Sequence, residues 1–144
     1  MSSMKDKYFL DTNLLVYLLT EDVNDLEKRI ATIQLIDLLH DQEVVISTQV
    51  LNELYSALLK NKLSDSEIQS KLEIVMEELI VRPITSEVVR FSWLIKNRYK
   101  FSYWDSLIVA SALKNECSIL YSEDLQHNQR IEDKLTVINP LKIN

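Results

Sequence analysis

Apolar residues fall into two kinds of grouping along the chain. Short runs, Tyr8-Phe9-Leu10, Val44-Val45-Ile46, Ile80-Val81, Ile119-Leu120-Tyr121 and Val137-Ile138, are too brief for helices and carry the aromatic and β-branched residues of buried strands. They predict strands at 7–11, 43–46, 80–84, 118–121 and 136–138, with Pro83 favouring an edge position for the third. Between them, apolar residues recur at three- and four-residue intervals. Helices are expected over 14–19, 25–41 (with Leu26, Ile30, Ile33, Ile36 and Leu39 or nearby residues at helical spacing), about 48–60, 65–79, 87–99 and 103–115. Ser47 or Thr48, then Thr85, supply caps, and Ser64-Asp65-Ser66-Glu67 spells a capping box. Ser102-Tyr103-Trp104-Asp105 resembles another, with the acid at N3. Residues 122–129 are expected to form a loop. Strands alternating with helices predict an α/β domain with a mainly parallel sheet, in which sites form beyond the carboxyl ends of strands. Asp11 and Asp124 fall there.

Composition narrows the picture. A chain of 144 residues with 47% hydrophobic and 26% charged residues suits one folded domain spanning 1–144. The longest apolar run, Leu14 to Leu19, has six residues, far short of the roughly 18 that suggest a membrane span. The start of the chain lacks the form of a signal peptide, so a cytoplasmic location is expected. One cysteine, Cys117, excludes an intramolecular disulfide, lacks the company of a zinc site, and reads as a small buried hydrophobe. A net charge of −6 gives no global attraction for nucleic acid, so a polyanionic substrate would need a metal or local basic residues. The chain contains no glycine, which excludes both the P-loop and the G-x-G-x-x-G dinucleotide loop. Asparagine is expected to take over some left-handed positions.

Four acids stand in apolar contexts: Asp11 after Tyr8-Phe9-Leu10, Glu53 after Val50-Leu51-Asn52, Asp105 after Tyr103-Trp104, and Asp124 shortly after Ile119-Leu120-Tyr121. Carboxylates crowded into a cleft repel one another and resist desolvation, so a counter-charge is expected; a hard divalent cation, Mg2+ or Mn2+, is the simplest. Each acid alone could be a cap or a solvated side chain, Asp105 most of all, because an N3 carboxylate suits its own helix dipole. Glu123 is expected to be exposed, and His40 and His127 to be surface residues. Tyr103 and Trp104 weigh toward core or interface, with base stacking as the alternative. Lys96, Arg98 and Lys100 form a basic stretch that could contact RNA backbone or simply complement a helix C-terminus.

In this light the segments Tyr8-Phe9-Leu10-Asp11-Thr12-Asn13, Ser47-Thr48-Gln49-Val50-Leu51-Asn52-Glu53, Phe101-Ser102-Tyr103-Trp104-Asp105-Ser106 and Leu120-Tyr121-Ser122-Glu123-Asp124 resemble, in order, the acidic motifs of PIN-domain nucleases, in the form seen among VapC-type toxins. Val137-Ile138-Asn139-Pro140 resembles the family's last strand. The resemblance implies an α/β/α sandwich around about five strands and a metal-dependent endoribonuclease, the toxin of a toxin–antitoxin pair. It implies an RNA substrate, a cognate antitoxin and a homodimer. By position, Asp11, Glu53, Asp105 and Asp124 would be the acidic tetrad that binds metal and catalyses, supported by Asn13 and Ser122. Asp11 and Asp105 are expected to ligate directly, Asp124 directly or through water from a mobile loop, and Glu53 either to ligate or to orient the attacking water as general base. Where related chains carry glycine this one has Asn128, expected at positive φ. The competing reading is a PIN-like binding module that no longer catalyses. A phosphoryl-accepting receiver lacks its aspartate after Val44-Val45-Ile46, and a haloacid-dehalogenase-type phosphatase would want Asp-x-Asp where Asp11-Thr12-Asn13 stands.

Overall fold

The computed structural model describes residues 6–142. Its strands are β1 (Lys7–Leu10), β2 (Glu43–Ser47), β3 (Ile80–Arg82), β4 (Ile119–Tyr121), β5 (Arg130–Ile131) and β6 (Leu135–Ile138). They form one sheet in the order β3-β2-β1-β4-β6-β5. Every neighbouring pair is parallel except β5 with β6. The five expected strands are the parallel part, and β3 is indeed an edge strand that stops before Pro83. The sixth is a two-residue hairpin partner of β6, too short to leave a hydrophobic pattern, and it lies just beyond the expected loop.

Helices connect the strands: α1 (Thr12–Leu19), α2 (Leu26–Leu38), α3 (Thr48–Lys60), α4 (Asp65–Glu78), α5 (Ser86–Tyr99) and α6 (Tyr103–Lys114). Together with the sheet they make an α/β/α sandwich. Caps fall on Asp11, Ser47, Ser64, Thr85 and Ser102, each side-chain oxygen accepting a backbone N–H of the first turn. The core centres on Phe9, Leu10, Ile46, Leu54, Ile108 and Leu120. No helix among the described residues is long and apolar enough to cross a membrane. The stripe expected on the second helix is only partly its core face. Leu35 and Leu39 are buried with Thr32, whereas Leu26 and Ile30 are about half exposed. A short 3-10 turn at Val23–Asp25 precedes α2, and the helix is rotated so that its buried face centres on Thr32 and Leu35.

Left-handed backbone is carried without glycine. Asn128 has φ 68°, as expected, but Lys62, Lys100, Glu116, Glu132 and Asp133 share that region. Asparagine is therefore the exception and charged residues the rule. Lys62 and Glu116 end α3 and α6 in Schellman motifs: Leu63 N bonds Leu58 O and Lys62 N bonds Leu59 O, and Cys117 N and Glu116 N repeat the pattern on Ala112 O and Leu113 O. The hydrogen bonds and packing that close these helices offset the steric cost of a Cβ at positive φ. Cys117 is buried, which pushes its thiol up to about 12.

Candidate active site

The strand order reverses direction between β1 and β4, so their carboxyl ends flank the crevice of an open α/β sheet. Their register pairs Leu10 with Tyr121, and the chain continues in step: Asp11 N donates to Tyr121 O at 3.0 Å. Asp11 and Ser122 are thereby brought side by side, and Ser122 Oγ donates to Asp11 Oδ2 at 2.8 Å. The other carboxylate oxygen accepts Thr12 N at 2.8 Å as the cap of α1. Asp11 is 6% exposed. Burial pushes its carboxyl from 3.8 up to about 6; the bonds from Ser122 and Thr12 pull it down, and the charges of Asp124 and Asp105 push it up again.

Asp124 follows β4 by three residues. Its backbone N–H donates to Ser122 Oγ at 3.1 Å, and its carboxylate accepts Asn13 Nδ2 at 3.1 and 3.4 Å. Burial, then the charges of Asp105 and Glu123, raise its pKa, against the bond from Asn13; Glu53 adds to the rise. Asp105 enters from the first turn of α6. Oxygens of Asp11, Asp105 and Asp124 lie within 4.8 Å of one another. Among the described residues none of the three is in an ion pair with lysine or arginine.

Glu53 stands apart from this trio but lines the same cavity of about 300 Å3. Its Oε1 accepts Thr12 Oγ1 at 2.7 Å, and its Oε2 takes only a long 3.4 Å bond from Gln49 Nε2. Thr12, Gln49 and Lys60 are the site residues that sequence reasoning passed over. Thr12 and Gln49 stand inside motif segments that assign them no role. Gln49 lies four residues before Glu53 and Lys60 seven after it, on one helical face, and Lys60 lines the acidic cavity. The basic stretch does not: Arg98 pairs with Glu132 and Lys96 Nζ lies 3.5 Å from Phe101 O.

Two expectations are corrected. Glu123 is not exposed; it is half-buried, accepting from Tyr17 OH and pairing with Lys28 at 3.3 Å. This anchors the loop that carries Asp124, beside Asp124's own bonds to Ser122 and Asn13. His127 is half-buried too, its Nδ1 accepting Asn139 N at 2.9 Å. Tyr103 and Trp104 meet edge-on but differ in surroundings: Tyr103 packs with Val88, Leu107 and Ala110, while Trp104 is 61% exposed.

A donor set of carboxylate oxygens from three separate elements, two of them (Asp11 and Asp124) pushed up by burial and by like-charged neighbours, suits a hard divalent cation such as Mg2+ or Mn2+. Residues 8–131 match the sequence profile of the PIN domain. No curated protein matches in sequence. Among solved structures, the toxin–antitoxin complex from Klebsiella pneumoniae is 17% identical at a TM-score of 0.71, covering 94% of this chain and 99% of that one. VapBC2 from Rickettsia felis, solved with a DNA fragment of its promoter, is 21% identical at 0.70, covering 92% and 99%. VapC20 of Mycobacterium tuberculosis, a toxin that cleaves the sarcin–ricin loop, is 18% identical at 0.63, covering 80% and 88%.

Proposed function

This chain belongs to the PIN domain family, and we propose that it is a metal-dependent endoribonuclease, the toxin of a toxin–antitoxin pair. The observation that carries this reading is the convergence of Asp11, Asp105 and Asp124 at the carboxyl ends of β1 and β4, none of them in an ion pair with lysine or arginine among the described residues. Mg2+ or Mn2+ held there would offset phosphate charge and lower the pKa of a coordinated water. Asp11 has one oxygen fixed by Thr12 and the other by Ser122, so its remaining lone pairs are presented to the cleft without rotamer freedom. Asn13 Nδ2 holds the Asp124 carboxylate more loosely, at 3.1 and 3.4 Å. Glu53 acts across the cavity as the residue that orients the attacking water. Its Oε1 is committed to Thr12, so the proton goes to Oε2, whose one partner is distant. Lys60 at the rim contacts an RNA phosphate, and Lys96, Arg98 and Lys100 contact the backbone farther out.

The structural neighbours that are toxin–antitoxin complexes support an antitoxin partner for this chain. A basic segment of it would enter the acidic cleft, with arginine suited to bidentate pairing with the carboxylates. The family resemblance implies a homodimer, and an RNA substrate is consistent with action in the cytoplasm. Purified protein with Mg2+ or Mn2+ should cleave RNA, EDTA should stop it reversibly, and Asp11→Asn should abolish it, with an unrelated protein purified identically as control. Cleavage that survives in Asp11→Asn would overturn the proposal, and a wild type that binds RNA or antitoxin without cleaving would establish the binding-module reading instead.

A further inference from the structure

Beside the acidic cavity lies a second, more apolar one of about 490 Å3, lined by Thr48, Gln49, Asn52, Ile84, Trp104 and Leu107. The two adjoin, sharing Glu53, Ser56 and Trp104 in their walls. We propose that this pocket is a nucleobase subsite, in which a base of the RNA stacks on Trp104 and offers an exocyclic amine to Gln49 Oε1.

Two independent features point to that occupant. Trp104 leaves 61% of its surface exposed although its helix is buried from Ser106 to Ala112. Tyr103, at 5.1 Å and 76°, meets it edge-on and backs it. An indole at the mouth of an apolar pocket is a stacking platform that any base can use. Gln49 supplies the second feature. It is 7% exposed, and its Nε2 donates to Trp104 O at 3.1 Å and to Glu53 Oε2 at 3.4 Å. That fixes the amide's orientation, because the flipped form would set its oxygen against two acceptors. The Oε1 left over is buried without a hydrogen-bond partner among the described residues. Native proteins seldom leave such an acceptor unpaired, and here it belongs to a residue that lines the pocket and tethers both the stacking residue and Glu53. An acceptor with no donor beside it selects a base bearing an amine. The subsite rests on the ribonuclease reading, since its place beside the acidic cavity makes RNA the occupant.

The chain has two tryptophans, so Trp93→Phe leaves Trp104 as the sole reporter. Its emission is followed in EDTA during titration with adenosine, with purine riboside, which lacks only the 6-amino group, and with ribose. These ligands carry no phosphate, so the response is independent of the acidic centre. Adenosine should quench Trp104 and bind about 5-fold more tightly than purine riboside. Gln49→Leu in the same background should keep the quench and erase the difference, and ribose should do nothing. Equal affinity of the two purines for the protein with Gln49 intact, or no quench by either, would overturn the subsite. So would emission that changes on protein dilution and ignores nucleosides, which would assign the pocket to a second copy of the chain. An RNA cleavage assay on the same sample separates the two readings: nucleoside discrimination without cleavage keeps the subsite and removes the ribonuclease, and cleavage without discrimination does the reverse.

Discussion

Helices α4 and α6 start with the same arrangement of serine and acid, Ser64 with Glu67 and Ser102 with Asp105, yet the two carboxylates face different partners. At α4 the box closes: Glu67 N donates to Ser64 Oγ and Ser64 N to Glu67 Oε1, each at 3.2 Å. The backbone and hydroxyl of Ser64 hold the Glu67 carboxyl below its ordinary value. At α6 only half of it forms. Asp105 N donates to Ser102 Oγ at 3.1 Å, and the Asp105 carboxylate lies instead with those of Asp11 and Asp124. Aspartate is one methylene shorter than glutamate and reaches back to the cap less readily. The start of α4 is open to solvent, whereas α6 begins against the crevice at the strand ends. A cap motif therefore fixes where an acid sits, and the surrounding fold decides what it faces.

The largest effect that would break this comparison is on chemistry. Asp105→Asn should reduce RNA cleavage by at least about 100-fold, on the scale of losing one preorganised electrostatic group, while Glu67→Gln leaves it unchanged. Cleavage assays on both variants decide this, and equal losses would erase the distinction.

Stability against pH should carry opposite signs at the two places. The folded Asp11 carboxyl is raised from 3.8 to about 6, so the metal-free protein binds an extra proton in that window and loses stability as pH rises through it. The loss is absent below pH 3.8, complete above about 6, and on the order of 3 kcal/mol. Asp11→Asn should remove most of it and raise the metal-free melting temperature at neutral pH. Glu67 is shifted the other way: its contribution is present above its ordinary value of 4.5 and is lost as pH falls. Denaturant melts of wild type, Asp11→Asn and Glu67→Gln from pH 3.5 to 7.5 would show these trends, and a wild type whose stability climbs between pH 4 and 6 would contradict them.

A smaller effect sharpens the point. Ser64→Ala and Ser102→Ala should each cost about 1 kcal/mol by denaturant melting, because each removes one cap acceptor. Only Ser102→Ala should also weaken metal binding, since it loosens the turn that presents Asp105. Smaller still, Lys62→Gly and Glu116→Gly should stabilise by about 0.5 kcal/mol each, releasing the left-handed strain at the ends of α3 and α6 against the entropy cost of glycine. Destabilisation in both would mean that these side chains make contacts worth more than that strain.

The two helix starts also mark how far the sequence can be read. Strand runs, helix starts and the acids beyond β1 and β4 were legible because period, capping and strand ends are local properties. The register that joins Asp11 to Ser122 follows once β1 and β4 are neighbours, and the resemblance had already singled out Ser122. Contacts between elements distant in sequence were not legible. Nothing near Glu123 announces Tyr17 and Lys28, which come from α1 and α2, and a surface role was the natural expectation for an acid between Ser122 and Asp124. The face of α2 was misplaced because its apolar residues outnumber the positions the core can cover. Gln49 and Lys60 did leave a signal, helical spacing from Glu53 on α3, whereas the link from Thr12 to Glu53 spans 41 residues of sequence and requires the fold.

The most direct test follows thermal melting during a Mn2+ titration of wild type, Asp105→Asn and Glu67→Gln. A cation that binds only the native state should raise the wild-type melting temperature by roughly 5–10 °C at saturating levels. Glu67→Gln should start lower and show the same rise, and Asp105→Asn should show little or none. A full rise in Asp105→Asn, or none in the wild type, would contradict the assignment of Asp105 to a metal-binding acidic centre.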